Sequence, residues 1–289
     1  MKMKLKRYFK NAVKYILYDS KPKQVYVKVD NVLPNNLLKD KIVLITGGSD
    51  GIGLSIAKKF TAHGATVIIT GRNEEKLKRA CQENNISDYI KNDIKNIDEH
   101  DKVLNYIFNK YKKLDILINN AGVSFHESDF LKVTEDSFDS QFDINFKGAY
   151  FLTQNYIKRI LKSEKKNSEY SIIFITSERG NQCDYLPYGL TKIAINSLVE
   201  GLSCRFIRNN IRVNGIAPGV TASSMTKIKS TDDLFADDYI SGRKYIADEV
   251  SEIALFLSSK CSNCISGEII HCNNGNHLNP WFRNQINKF

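Results

Sequence analysis

From residue 41 onward, short β-rich runs alternate with longer stretches of helical periodicity, and this alternation constrains the fold more than any other feature of the chain. The runs KIVLIT (41–46), TVIIT (66–70), YIKND (89–93), LDILIN (114–119), SIIFIT (171–176), IRVNGIA (211–217) and GEIIHC (267–272) read as seven strands. Between them the spacing predicts helices from about Gly51 to His63, from about Asn73 on, and near 98–111, 138–162, 186–208 and 248–258. Strands separated by helices require right-handed crossovers, which lay the strands in parallel and cover both faces of the sheet. The expected architecture is α/β: a single doubly wound domain over 41–280, with a seven-stranded parallel sheet and helices on both faces. No internal repeat or low-complexity linker divides it, and 289 residues at 42% hydrophobic content suffice to bury a full core.

The formal charge of +10 resembles a nucleic-acid signature until it is divided along the chain. Residues 1–40 hold ten Lys/Arg against three Asp, so +7 belongs to this extension and only +3 to the rest, and no nucleic-acid partner is expected. Within it, Leu5, Tyr8, Phe9, Ala12, Val13, Ile16 and Leu17 share one helical face. Residues 1–17 therefore read as a basic amphipathic helix, packed on the body or another subunit, or alternatively laid on a membrane surface. Val25, Val27 and Val29 give a weak strand signal, Pro34-Asn35-Asn36 a loop, and residues 281–289 a C-terminal tail. Lys14 interrupts the early apolar run, which argues against a signal peptide, and the apolar runs are too short to span a bilayer. Six scattered cysteines then read as reduced thiols of a cytoplasmic protein. Cys261 and Cys264, near His271 and Cys272, look like half a metal site, but no second ligand pair stands at zinc spacing, and no metal is expected.

Directly after the first strand comes TGGSDGIG, Thr46 to Gly53. Glycines at 47, 51 and 53 permit a tight turn and close backbone approach to a ligand, and the helix that follows offers its positive end to a pyrophosphate. The second strand ends in Thr70-Gly71-Arg72-Asn73, where a cofactor with a free 2′-hydroxyl usually meets a carboxylate. Arg72 without that carboxylate favours a 2′-phosphate, hence NADP with NAD as the alternative. Asp50, Glu74 and Glu75 nearby act against this preference.

In PYGLTK, Tyr188 and Lys192 stand four apart at a helix start and share a face. A cation beside a phenol lowers its pKa, and a shift of about 3 units, or about 4 kcal/mol, would make Tyr188 a proton donor and acceptor near neutrality. Such a pair alone is usually a surface accident. Its company is INNAG (118–122), DINFKG (143–148), ITSERG (175–180) and NGIAPGV (214–220), most of them at the carboxyl ends of strands, where doubly wound sheets bind ligands.

These motifs, in this order over residues 41 to about 280, resemble the classical short-chain dehydrogenase/reductase family. The resemblance implies a Rossmann-type domain, a nicotinamide cofactor and an Asn-Ser-Tyr-Lys catalytic set: Asn145, Ser177, Tyr188 and Lys192. It implies that Tyr188 protonates a carbonyl oxygen as hydride arrives from NADPH, while Ser177 polarises that oxygen, Lys192 binds the nicotinamide ribose and tunes the phenol, and Asn145 positions a relay water. Cofactor contacts are implied at Gly47, Ser49, Asp50, Gly51, Ile52 and Gly53, and at Asp93 and Ile94 beside the adenine. Asn120, Ala121 and Gly122 support sheet and cofactor, and Pro218, Gly219, Thr221 and Ser223 stand where the carboxamide is held. The Ser177–Tyr188 loop is shorter than usual in the family, so Glu178 or Arg179 is a candidate to enter the pocket, while Tyr185 reads as a cleft wall.

The implied activity is NAD(P)(H)-dependent reduction of a ketone or oxidation of a secondary alcohol on a small-molecule substrate. Two alternatives stand beside it: a 3-oxoacyl-acyl-carrier-protein reductase, docked through Lys158, Arg159, Lys162, Lys165 and Lys166, and a non-catalytic nucleotide-binding regulator. The family also implies a homodimer or homotetramer through the helices near 138–162 and 186–208. Substrate choice falls to residues 222–247.

Overall fold

A computed structural model describes residues 24–26, 36–162 and 168–278. The amphipathic helix over 1–17, most of the weak strand, Pro34 and Asn35, Lys165 and Lys166, and the tail over 281–289 lie outside the described residues.

Seven parallel strands form one sheet in the order β3-β2-β1-β4-β5-β6-β7. They are β1 (Ile42–Thr46), β2 (Thr66–Gly71), β3 (Asp88–Lys91), β4 (Ile116–Asn119), β5 (Tyr170–Ile175), β6 (Ile211–Pro218) and β7 (Ile269–Cys272). The main helices are α1 (Gly51–Ala62), α2 (Glu74–Asn84), α3 (His100–Tyr111), α4 (Glu135–Gln141), α5 (Ala149–Lys162), α6 (Pro187–Phe206) and α7 (Ala247–Ser258). The strand alternation distributes one core over two faces. Val43, Ile45, Val67 and Ile69 pack with Ile56 and Phe60 of α1 and Leu255 of α7. Ile42, Leu44, Ile172 and Phe174 pack on the other face with Leu104 of α3, Tyr156 of α5 and Val199 of α6. Central strands buried on both sides therefore read as unbroken apolar runs.

Local chemistry sets the helix ends. Asp50 caps α1 through its carboxylate, Asn73 caps α2 by accepting from Lys76 N at 2.9 Å, and Pro187 occupies the first turn of α6, where its missing N–H has no helical partner to lose. The helix expected over 138–162 differs: α4 passes into a π-helical stretch, Phe142–Gly148, before α5 begins. At Gly148 a side chain would collide with the Ile94 backbone, so this turn packs directly on the loop after β3. β3 also ends two residues earlier than expected, leaving Asp93 in that loop. Among the described residues no helix is long and apolar enough to cross a membrane, and no three metal-ligating side chains gather. Cys261 and Cys264 are exposed.

Candidate active site

The strand order reverses between β1 and β4, and the carboxyl ends of these two strands part to open a crevice. Thr46 and Asn120 tie the crevice floor together. The Thr46 hydroxyl accepts from the backbone N–H of Asn120 and of Ala121, both at 3.0 Å, and the Asn120 amide donates to the carbonyls of Thr46 and Gly47, also at 3.0 Å. Gly47 and Gly51 have φ of +65° and +51°, the left-handed region that favours glycine. Gly51 also lies close to the far wall, because a Cβ there would stand 3.1 Å from the Cβ of Ser223.

Above this floor is a cavity of about 660 Å³. The glycine turn contributes Gly47, Asp50, Gly51 and Ile52, and the β4 end contributes Asn120, Ala121 and Gly122. Pro218, Gly219, Thr221 and Ser223 follow β6, and Ser177, Tyr188 and Lys192 close the opposite side. The structure thus brings most of the sequence-selected positions to one place. Ser49, Gly53, Arg72, Asp93, Ile94 and Asn145 do not line this cavity. Gly53 instead lies against Gly47 and the Asn120 amide, Ile94 is buried under Gly148, and Arg72 is exposed just past the end of β2.

Tyr188 and Lys192 project from the same side of α6, with the ammonium 5.6 Å from the ring centroid. The ammonium donates to the carbonyl of Ile175, at the β5 end, over 2.9 Å. Burial pulls the Lys192 pKa down to about 8. For Tyr188 the direction opposes the sequence-based expectation: burial raises the phenol pKa, and the hydrogen bond with Ser177 and the charge of Arg179 offset this only in part. Loss of hydration on ionisation outweighs the stabilisation by nearby cations, so the phenol holds its proton at neutral pH.

Asn145 lies in the π-helical stretch and is 1% exposed. Its amide is engaged with protein, accepting from Val123 N at 2.8 Å and donating to Val123 O at 2.9 Å and to the Thr191 hydroxyl at 3.2 Å. The side chain braces the β4 exit against α6 and does not face the cavity. Tyr185 is 61% exposed and lines no part of the cavity, because the loop before α6 turns it outward.

Glu178 and Arg179 do enter the pocket. Of the segment 222–247, only residues 223–227 join Ala222's neighbourhood to the cavity wall, whereas Leu234 and Ile246 pack with Ala222 in a small core of their own. Sequence reasoning missed Val123, Phe125 and His126, which line the cavity immediately after β4. His126 meets the Met225 carbonyl at 3.0 Å across the mouth. The signal was positional: these residues leave a strand at the switch point.

Residues 41–234 match the profile of the short chain dehydrogenase family. The chain belongs to that family. It is an oxidoreductase that interconverts CH–OH and C=O groups with a nicotinamide cofactor. The chain is 32% identical over 252 residues to a 3-oxoacyl-[acyl-carrier-protein] reductase of Chlamydia muridarum, covering 83% of this chain and 99% of the relative. It is 29% identical to the reductase of the same description from Aquifex aeolicus, over 82% and 98% of the two chains. A 3-ketoacyl-(acyl-carrier-protein) reductase from Brucella melitensis complexed with NADH superposes with a TM-score of 0.78 at 26% identity, covering 83% of this chain and all of the other. As a short-chain dehydrogenase the protein should take a dinucleotide in the crevice, and its residues fit one: two left-handed glycines open the floor, and α1 points its positive end inward.

Proposed function

We propose that the protein catalyses NADPH-dependent reduction of a small-molecule ketone, or the reverse oxidation of a secondary alcohol, with Tyr188 exchanging the proton. The observation that carries this reading is the convergence of Ser177, Tyr188 and Lys192 on one cavity wall facing the glycine turn. When bound, the cofactor supplies or receives the hydride. Gly47, Asp50, Gly51 and Ile52 would hold its phosphates, and Thr221 and Ser223 would hold the nicotinamide end.

Tyr188, proton-bearing at neutral pH, donates its hydroxyl hydrogen to the carbonyl oxygen. Ser177, hydrogen-bonded to that phenol, orients and polarises the same oxygen. Lys192, with a pKa of about 8, stays mostly protonated at neutral pH behind the phenol and counters the phenolate left after proton transfer. The NADP preference is supported by exposed Arg72 at the end of β2 and by Lys76 standing 4.0 Å from Asp50, the carboxylate nearest the turn. Homo-oligomerisation is supported by an apolar groove between α5 and α6 lined by Tyr150, Ile157, Leu161, Leu198, Leu202 and Phe206. Four exposed free thiols, at Cys183, Cys204, Cys261 and Cys264, support a reducing cytoplasmic setting.

A panel of ketones and alcohols, followed by nicotinamide absorbance, tests the reading. Tyr188→Phe should abolish turnover of any substrate found while leaving cofactor affinity almost intact. Near-parental activity in that variant would defeat the assignment.

A further inference from the structure

Ser177 and Tyr188 come from different elements, the β5 end and the first turn of α6, so the loop between them sets their separation. That loop is closed by a bidentate pair: Arg179 donates from Nε to Asp184 Oδ2 at 2.6 Å and from Nη2 to Oδ1 at 2.7 Å. The Asp184 side chain is only 7% exposed, and Oδ1 also accepts the N–H of Leu186, the residue that caps α6, at 2.9 Å. Gly189, in the first turn of that helix, leaves room for the carboxylate, since a Cβ there would overlap it. On the other side Arg179 stands over the Tyr188 ring, with Cζ 5.8 Å from the centroid, and its own N–H meets the Ser177 hydroxyl oxygen at 3.3 Å. Glu178 is fastened by Asn273 and Asn276, each donating to Oε2 at 3.0 Å.

We propose that the Arg179–Asp184 pair is a positioning clamp that fixes Ser177 against Tyr188 and holds the guanidinium over the reacting phenol. It rests on the reading of Tyr188 as the proton-exchanging group. A planar fork on a carboxylate is directional, so lysine cannot reproduce it, and displacement of a catalytic group by about 1 Å costs on the order of a hundredfold in rate. The charged groups facing Tyr188 are Glu178 and Arg179 from the loop and Lys192 from its own helix, and Asp184 stands behind Arg179.

The test compares Arg179→Met, Arg179→Lys, Gly189→Ala, Asp184→Ala and the Asp184→Ala/Gly189→Ala double variant. Turnover and KM are read together with alkaline titration of Tyr188, taken as the ultraviolet difference against Tyr188→Phe without substrate. Gly189→Ala keeps both charged residues and favours the helix while displacing the carboxylate, and circular dichroism of each variant confirms that the fold is kept. Arg179→Met and Gly189→Ala should each lower kcat by about tenfold or more with cofactor KM within about twofold. Arg179→Lys should not restore the rate, Gly189→Ala should add nothing when Asp184 is already alanine, and the Tyr188 titration should move upward in Arg179→Met. The clamp is overturned by a parental kcat in Arg179→Met, by an undiminished Gly189→Ala effect in the Asp184→Ala background, or by an unmoved phenol titration. Parental turnover in Tyr188→Phe instead sinks the acid assignment itself, which keeps the two failures apart.

Discussion

Gly53→Ala perturbs the crevice floor at one atom. In α1 a Cβ at this position overlaps the Gly47 carbonyl oxygen and the Asn120 amide nitrogen, and lies 3.0 Å from the Gly47 carbonyl carbon. The helix itself gains about 1 kcal/mol from alanine. Against this, forcing a methyl into packed backbone costs about 2 kcal/mol. Displacing the Asn120 amide from the Thr46 or Gly47 carbonyl costs about 1 kcal/mol per hydrogen bond. The net is a destabilisation of about 2 kcal/mol, which lowers the melting midpoint of a domain this size by about 4–8 °C. Thermal unfolding followed by circular dichroism, with NADPH affinity from fluorescence titration, measures both consequences. Gly201→Ala in α6 is the internal control: a Cβ there meets nothing within 4 Å, so this variant should be slightly stabilised. A Gly53→Ala protein as stable as Gly201→Ala, with unchanged NADPH affinity, refutes the close-packed turn.

Two further outcomes are expected. Lys192 has a folded pKa near 8 against 10.5 when free, so burying its charge destabilises the fold fully below pH 8, and the penalty fades as pH rises toward 10.5. The stability difference between parent and Lys192→Met should therefore shift in the parent's favour by roughly 3 kcal/mol across that window, read from urea unfolding at several pH values; a flat difference contradicts the buried ammonium. Arg72→Ala should narrow the gap in affinity between NADPH and NADH, which lacks the 2′-phosphate, in a binding titration, and equal parental affinities for the two would overturn the proposed 2′-phosphate contact.

The sheet was legible because its central strands are covered on both faces, so β1, β5 and β6 announce themselves as apolar runs at the right spacing. Tyr188 and Lys192 were legible as a shared helical face, since i and i+4 neighbours need no tertiary knowledge. Their protonation was not, because burial is a property of the assembled cleft and reverses the sign expected from charge alone. The partners of Asn145 were hidden for a related reason. The π-helical stretch Phe142–Gly148 rotates that face away from a simple wheel, and the amide finds partners on β4's exit and on α6 that no local pattern contains. Arg179 and Asp184 meet five residues apart in an irregular loop, where no periodicity signals a contact.

The crevice draws its floor from residues 46–53 and its opposite wall from Ser177 through Ser223, so both halves of the chain must be in register before it exists. Catalytic output is consequently a gauge of the whole domain's integrity. Heat inactivation should superpose on loss of the sheet, and a fragment ending before α6 should retain the glycine turn in its sequence yet carry no residual turnover.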